Sequence, residues 1–150
     1  SSKIRDGDTV FHRMGDLGYV DDEGRVWFCG RKSHRVETAS GMVPAVPVEG
    51  IFNEHPDVFR TALVGIGSPG QQIPVLAVEL QPGRTWSTTV EAGMQKLAEG
   101  TPYEGVVARF VPYGVFPTDA RHNSKIRRGD IATVLGPQCQ DLLAAAREGA

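Results

Sequence analysis

The stretch HRMGDLGYVDDEGRVWFCGRK, residues 12–32, predicts a β-hairpin that also carries a binding site. The apolar runs TVFHR and RVWFCG lie around DLGYVDDEG, whose Asp-Glu-Gly sequence ending at Gly24 is typical of a hairpin turn. Asp16 lies beside a glycine at one end of the stretch, and Arg31 follows a glycine at the other. A hairpin that only filled a core would need neither side chain, so this pair indicates a ligand.

The composition is typical of a soluble globular protein, and the length allows one ordinary core or one small domain with an appendage. Neither gives a sign of a nucleic-acid or membrane partner. The 150 residues are 40% hydrophobic and 23% charged, with a formal net charge of −2. No apolar run reaches the length that would cross a bilayer. The chain opens on the polar sequence SSKIRDGD, without a signal-peptide pattern, and we expect it to be a fragment of a longer protein.

The cysteines and histidines indicate neither a disulfide framework nor a metal site. The two cysteines are Cys29 and Cys139, and we predict that Cys29 is a buried free thiol in a strand. This usage favours a reducing, cytoplasmic setting. The four histidines lack metal-ligand spacing, and they are His12, His34, His55 and His122.

From Ser33 onward, the sequence predicts an α+β fold in which helices flank a small β-sheet. Apolar periodicity predicts three helices and three strands in the order α-β-β-α-β-α. The predicted helices are PVEGIFNEHPDV, which Pro56 ends, STTVEAGMQKLAEG, with Ser87 or Thr88 as its cap, and KIRRGDIATVL. The predicted strands are FRTALVGI, IPVLAVEL and VVARFVPY. For the last helix we expect an apolar side formed by Ile131, Val134 and Leu135.

Common nucleotide and hydrolase motifs do not account for this chain. GIGSPG, residues 65–70, matches G-x-G-x-x-G, but a proline and then a strand follow it where a helix would be needed. We therefore predict an ordinary loop between two strands. Neither a phosphate-binding G-x-x-x-x-G-K-[ST] loop nor a G-x-S-x-G nucleophile elbow occurs.

Asp16, Arg31 and Lys125 remain as candidate functional residues, each with a simpler explanation. Asp16 could cap its own turn, and Arg31 could be a solvated arginine at a strand end. Lys125 follows FPTDARHNS, which predicts a loop that leads into the last helix. Considered singly, the three residues leave both interpretations open.

Considered together, these blocks resemble the late motifs of the acyl-adenylate-forming superfamily, which includes acyl-CoA synthetases, non-ribosomal peptide adenylation domains and firefly luciferase. Residues 12–32 are similar to the pattern T-G-D-x-G-x-x-D-x-x-G-x-x-x-x-x-G-R. FPTDARHNSKIRR is similar to the closing P-x-T-x-x-G-K-x-x-R. The resemblance puts Lys125 on the catalytic lysine and Arg128 on the arginine that follows it.

The resemblance implies a division of the chain and a role for each candidate residue. Residues 1–32 would be the terminal hairpin segment of the N-terminal adenylation domain, and residues 33–150 the mobile C-terminal lid. Asp16 would hydrogen-bond the ribose hydroxyls of ATP, and Arg31 would assist at the same sugar. Ser33 would be the hinge, and Lys125 would act in adenylation. Mg²⁺ would be bound mainly by the N-terminal domain, so the fragment alone is expected to be inactive.

Two departures from the family pattern bear on the reaction. Ser33 stands where the hinge is usually Asp or Lys. ETASGMVPAVPVEG, residues 37–50, keeps a glycine and a glutamate near their usual places, but its proline falls early. In thioester-forming members this segment helps to form the pantetheine tunnel, so its change argues against coenzyme A as the acceptor.

The phrases FCGRKSHRVET, HPDVFRTALVGIG and RHNSKI look most like the β-lactone synthetases of bacterial olefin biosynthesis. Those enzymes adenylate a long-chain β-hydroxy acid, whose own hydroxyl then displaces AMP. The resemblance implies as partners the chain's own N-terminal adenylation domain, a β-hydroxy fatty acid and other olefin-biosynthesis enzymes. The alternatives are the lid of a fatty acyl-CoA synthetase and a non-catalytic binding module.

Overall fold

A three-stranded sheet with helices on both faces lies at the centre of the structure. The computed structural model describes residues 3–120 and 122–148. The strands in these ranges are β1 (Lys3–Asp6), β2 (Thr9–His12), β3 (Asp16–Val20), β4 (Val26–Arg31), β5 (Val36–Thr38), β6 (Gly41–Val43), β7 (Val58–Ile66), β8 (Ile73–Leu80), β9 (Arg109–Tyr113), β10 (Thr118–Asp119) and β11 (His122–Ile126). The helices are α1 (Ala45–Phe52), α2 (Thr88–Ala98), α3 (Arg128–Leu135) and α4 (Gln140–Glu148), with 3₁₀ turns at Lys32–His34 and Pro137–Cys139.

The central sheet has the order β7-β8-β9. β7 and β8 are antiparallel neighbours, whereas β8 and β9 are parallel. A parallel pair needs a long crossover connection, and α2 supplies it. The loop at residues 67–72 joins β7 to β8, so the prediction that GIGSPG ends in a strand-to-strand loop is confirmed.

Side chains that alternate along β7 and β8 build a separate core on each face of the sheet. Leu63, Leu76 and Val78 pack in the core that includes α1 and α2. Ala62 and Val64 point to the opposite core, which α3 covers with Ile131 and Leu135; in the same core β8 contributes Val75 and Ala77. The predicted small sheet flanked by helices is therefore confirmed.

The helix ends follow local chemistry. The Ser87 hydroxyl oxygen accepts a hydrogen bond from the Val90 amide at 3.3 Å, which caps the N-terminus of α2 as predicted. Gly100, with a φ of +70°, follows the end of that helix. In α1, Pro47 lies in the first turn, where backbone amides have no partner within the helix, so its lack of an amide proton costs no helical hydrogen bond.

The N-terminal segment forms two hairpins, whereas the sequence predicted one. The turn before β4 is as predicted, with a φ of +79° at Gly24. The partner of β4 is β3, however, and the run TVFHR pairs with β1 instead. Gly15, with a φ of +74°, interrupts the extended backbone between β2 and β3, so these two strands do not continue as one.

Four further details differ from the sequence-based predictions. Lys125 lies in β11, which pairs with β10, and not in a loop. Val134 is 48% exposed, because it lies on the side of α3 away from the sheet, whereas Ile131 is buried as expected. Cys29 is only partly buried, since β4 belongs to an exposed hairpin, and Cys139 is the buried thiol. α4 was not predicted.

Among the described residues, no helix has the length and apolar character required to cross a membrane.

Candidate functional site

The end of β4 is held close to α1 by a glycine. Gly30 has a φ of +105°, a region that side-chain-bearing residues rarely adopt. A Cβ atom at this position would lie 3.0 Å from Cγ2 of Val46 on α1. Gly30 therefore allows β4 to approach α1 closely, and this approach fixes the position of Arg31, the last residue of the strand.

Asp16 and Arg31 lie directly opposite each other in the β3–β4 register. Arg31 Nη1 lies 3.2 Å from Asp16 Oδ1 and donates a 2.7 Å hydrogen bond to the carbonyl oxygen of Met14. The side chains of Arg31 and Asp16 are 51% and 34% exposed, and an ion pair this exposed contributes little to stability. The pairing instead presents a carboxylate and a guanidinium side by side at the surface.

An open cleft of about 370 Å³ joins three of the predicted site residues. Arg31, Ser33, His34 and Lys125 line it. Lys125, on β11, therefore lies near Arg31 at the end of the N-terminal hairpin, although 94 positions separate the two residues in sequence. Asp16 does not line this cleft but contacts it through its ion pair with Arg31.

The surroundings of the cleft are positively charged. Burial lowers the pKa of His34 below its usual 6.5, and the charges of Arg128, Arg31 and Lys125 lower it further. The geometry agrees with this direction, because Arg31 and Lys125 line the same cleft as His34 and Arg128 Nη1 lies 3.3 Å from its Nδ1. A concave surface with this charge suits an anionic ligand such as a phosphate or a carboxylate.

Glu49 and Arg128 form a largely buried ion pair behind the cleft. Arg128 Nη2 lies 2.9 Å from Glu49 Oε1 and 2.7 Å from Oε2, and the Leu63 amide donates a 2.7 Å hydrogen bond to Oε1. Burial raises the pKa of Glu49, and the charge and hydrogen bonds of Arg128 oppose this rise. The pair ties the N-terminus of α3 to α1 and β7.

Sequence reasoning noted Glu49 and Arg128 only as motif positions and missed their pairing. It also treated His34 as one of four scattered histidines. Glu49 lies 79 positions from Arg128, and His34 lies 94 positions from it. No local sequence pattern predicts a contact over such a separation. A glutamate on an otherwise apolar helix, however, indicates that a cation lies nearby.

The segment 37–50, in which the sequence departs from the family pattern, includes the β5–β6 hairpin and α1. Thr38 and Gly41 are register partners, which leaves a tight two-residue turn between the strands. The Glu37 amide donates a 2.8 Å hydrogen bond to Gln72 Oε1, which attaches β5 to the loop before β8. The proline that falls early, Pro44, directly precedes α1.

The described side chains do not fit a resident metal. Within residues 3–120 and 122–148, no group of three or more His, Cys, Asp or Glu side chains could hold a metal ion. The chemistry of the cleft is that of fixed cations, and a Mg²⁺ ion would need ligands from elsewhere.

Comparison with known proteins links the chain to two bacterial enzymes, although no protein-family model matches it. An olefin beta-lactone synthetase from Xanthomonas campestris pv. campestris is 52% identical over 139 aligned positions, covering 88% of this chain and 25% of that protein. One from Stenotrophomonas maltophilia is 47% identical over 137 positions, with the same coverage. The chain therefore spans about a quarter of the length of these relatives.

Solved structures share the fold. The anthranilate CoA ligase AuaEII, in complex with anthranoyl-AMP, superposes with a TM-score of 0.70 at 22% identity, covering 81% of this chain and 23% of that one. The amide bond synthetase McbA from Marinactinospora thermotolerans gives a TM-score of 0.66 at 22% identity, covering 83% and 24%. These structures confirm the predicted fold class, and the two bacterial relatives confirm the resemblance to β-lactone synthetases.

Proposed function

We propose that this chain, a relative of the olefin beta-lactone synthetases by sequence and of adenylate-forming ligases by fold, is the C-terminal part of an ATP-dependent, AMP-forming, acid-activating ligase. In this proposal residues 1–32 complete the N-terminal adenylation domain, and residues 33–150 are its mobile lid. The observation that carries the proposal is the cleft that Arg31, Ser33 and Lys125 line together.

The first half-reaction is displacement at the α-phosphorus of ATP. A carboxylate oxygen of the acid forms a bond to that phosphorus, and the bond to the bridging oxygen breaks as pyrophosphate leaves. Lys125 offsets the negative charge that develops around the reacting phosphoryl group. Asp16 accepts hydrogen bonds from the two ribose hydroxyls, and Arg31 holds Asp16 in place and contacts the same sugar.

The second half-reaction closes a lactone. The β-hydroxyl oxygen of the substrate attacks its own acyl carbon, the mixed anhydride bond to AMP breaks, and the hydroxyl proton is lost to solvent or base. We propose a long-chain β-hydroxy acid as the substrate because the two relatives at 52% and 47% identity are named olefin beta-lactone synthetases.

The other partners follow from the same proposal. Mg²⁺ accompanies ATP and is held by the N-terminal domain, and other enzymes of olefin biosynthesis would handle the substrate and the lactone. The rest of the N-terminal domain covers the exposed apolar side chains of the two hairpins, such as Phe11, Trp27 and Phe28. The free thiols Cys29 and Cys139 fit a reducing, cytoplasmic setting.

Replacing Lys125 in the full-length protein tests the proposal. We expect Lys125→Ala to lower kcat for pyrophosphate release from ATP and a β-hydroxy acid by about 10²-fold to 10³-fold, with KM for ATP nearly unchanged. Lys96→Ala, on the exposed surface of α2, is the matched control and should retain the wild-type rate. Wild-type pyrophosphate release by Lys125→Ala would contradict the assignment, and an inactive wild type would contradict the proposed function.

A further inference from the structure

His34 links the proposed hinge to the body of the lid. It ends the 3₁₀ turn Lys32–His34 and is half-buried, whereas its neighbour Ser33 is exposed. Its Nδ1 atom lies 3.3 Å from Arg128 Nη1. A guanidinium carries only N–H donors, so Nδ1 must be the acceptor of this hydrogen bond. The bond therefore exists only while Nδ1 carries no proton, which makes the ring neutral with its proton on Nε2.

The charged groups around His34 disfavour a second proton on the ring. Arg31 faces it from β4, Lys125 from β11 and Arg128 from α3. The carboxylates that contact these cations are already engaged, since Glu49 on α1 is bound by Arg128 and Asp16 on β3 by Arg31. Arg35, which follows the turn, pairs with Glu37. Together with burial, the three cations lower the pKa of His34 below 6.5.

The hydrogen bond connects the turn to the segment that carries Lys125. Arg128 is the first residue of α3, three positions after Lys125, and Glu49 fixes its guanidinium from the other side. The series His34–Arg128–Glu49 therefore runs from the proposed hinge into the core of the lid. The contact between His34 and Arg128 holds the turn near the end of β11, where Lys125 lines the cleft.

We propose that His34 is a positioning residue: its neutral ring holds the turn Lys32–His34 against α3 and so keeps Lys125 facing Arg31. The inference rests on the proposed function, because Lys125 is assigned its role there. Although His34 lines the cleft, the role proposed for it acts through Arg128 and not through the substrate. Protonation of the ring would remove the acceptor and add a positive charge beside three others.

Two variants of the full-length protein separate this role from a merely structural one. His34→Asn keeps an acceptor oxygen near the position of Nδ1 but cannot be protonated, whereas His34→Leu removes the acceptor. In pyrophosphate release at pH 8, we expect His34→Leu to lower kcat by about threefold to tenfold with KM for ATP nearly unchanged, the amount that one hydrogen bond supplies. His34→Asn should stay within about twofold of the wild type. Equal rates in all three proteins, or an equal loss in both variants, would overturn the proposal.

The pH profile provides a second readout. The wild-type kcat should fall as the pH drops through the lowered pKa of His34, with a midpoint below 6.5, and this acid limb should disappear in His34→Asn. An acid limb of the same midpoint in His34→Asn would assign it to another group and overturn the inference. Should His34→Leu fail to fold, as judged by circular dichroism, the profile of His34→Asn decides alone.

Nuclear magnetic resonance of the full-length protein, labelled with ¹³C at histidine Cε1, tests the geometry without activity. The His34 signal, assigned by its loss in His34→Asn, should titrate below pH 6.5, and its midpoint should rise in Lys125→Gln because one of the facing cations is gone. A midpoint that Lys125→Gln leaves unchanged would show that the two residues are not neighbours and would overturn the proposal. This outcome is distinct from failure of the proposed function, which an absence of pyrophosphate release by the wild type would reveal.

Discussion

Asp16 and Arg31 are paired in a way that stability alone does not explain. Their side chains are 34% and 51% exposed, and an ion pair this accessible to solvent contributes about 1 kcal/mol or less. Yet the β3–β4 register sets the two residues opposite each other, and Gly30 packs against Val46 to fix the strand end. Such placement suits recognition of a ligand by a carboxylate that a neighbouring cation orients.

We predict that Asp16→Ala in the full-length protein weakens ATP binding more than it slows the chemistry. A carboxylate bound to ribose hydroxyls makes the same contact in the ground state and the transition state, so its loss appears mainly in KM. Loss of charge-assisted hydrogen bonds of this kind corresponds to an increase of about tenfold or more in KM for ATP. Initial rates of pyrophosphate release at varied ATP concentration measure it.

Asp22→Ala is the control for that experiment, because Asp22 is exposed in the turn of the same hairpin. Its KM for ATP should equal that of the wild type. If Asp16→Ala also leaves KM unchanged, Asp16 is only a strand-end residue that pairs with Arg31.

Sequence motifs were enough to propose Arg31, Ser33 and Lys125, which line one cleft, because the spacing of charged residues and glycines within each block is local information. They were not enough to propose a role for His34, because the proposed role depends on its contact with Arg128, 94 positions away. A single histidine in a polar turn has many ordinary explanations. Only the approach of β11 and α3 to the turn Lys32–His34 gives it a role.

At the scale of elements, α3 is held by one buried ion pair in addition to its apolar face. Ile131 and Leu135 pack under the sheet, and Arg128 anchors the first turn to Glu49. The side chains of Arg128 and Glu49 are only 16% and 10% exposed. Removing one partner therefore leaves a buried charge without compensation, which costs more than the pair itself contributes.

We predict that Glu49→Ala lowers the opening free energy of α1 and α3 by about 3 kcal/mol. Besides leaving Arg128 buried and unpaired, the change removes the acceptor of the Leu63 amide in β7. Hydrogen–deuterium exchange of the full-length protein, read by mass spectrometry in peptides from these helices, measures the change locally.

Arg84→Ala serves as the matched control, because Arg84 forms an exposed ion pair with Asp57, at 3.1 Å. Its loss should change the opening free energy by about 1 kcal/mol or less. Protection of α1 and α3 in Glu49→Ala equal to that in the control would mean that the apolar faces alone hold these helices.

The elements that the sequence predicted best are those with long, regular patterns. β7 and β8 have nine and eight residues with buried alternating faces, and α2 has a serine cap and a glycine stop. The elements that it missed are short or exposed. β10 has two residues and β5 has three, too few for a period to appear. α4 has no fully buried residue, and only its partly buried Leu142 and Leu143 pack against the core.

At the scale of the whole molecule, the apolar surface is unevenly distributed. Many of the exposed large hydrophobic side chains lie in the two N-terminal hairpins, where Tyr19 and Trp27 stack across β3 and β4. Two-stranded hairpins are marginal in water by themselves. Their exposed apolar side chains therefore agree with the proposal that residues 1–32 complete a larger adenylation domain, against which the lid moves about Ser33.

In the proposed second half-reaction, either the substrate's own hydroxyl or coenzyme A could attack the adenylate. The segment 37–50 provides an argument for the hydroxyl. This segment contains the tight β5–β6 turn and Pro44, which directly precedes α1. By the resemblance to adenylate-forming enzymes, its departure from the family pattern argues against a thiol tunnel. A β-hydroxyl held on the substrate itself needs no tunnel. In well-oriented intramolecular reactions the effective concentration of such a group reaches about 10⁵ M or more.

We therefore predict that the full-length enzyme, given ATP and a long-chain β-hydroxy acid, releases AMP without coenzyme A. Part of the intramolecular advantage is lost to the strain of a four-membered ring, so the adenylate must remain as an activated leaving group. The matched acid without a β-hydroxyl has no internal nucleophile and should stall as a bound acyl-adenylate, with one burst of pyrophosphate and little turnover. Mass spectrometry identifies the product. An acyl-CoA thioester, formed only when coenzyme A is added, would replace the lactone reaction with that of an ordinary acyl-CoA synthetase.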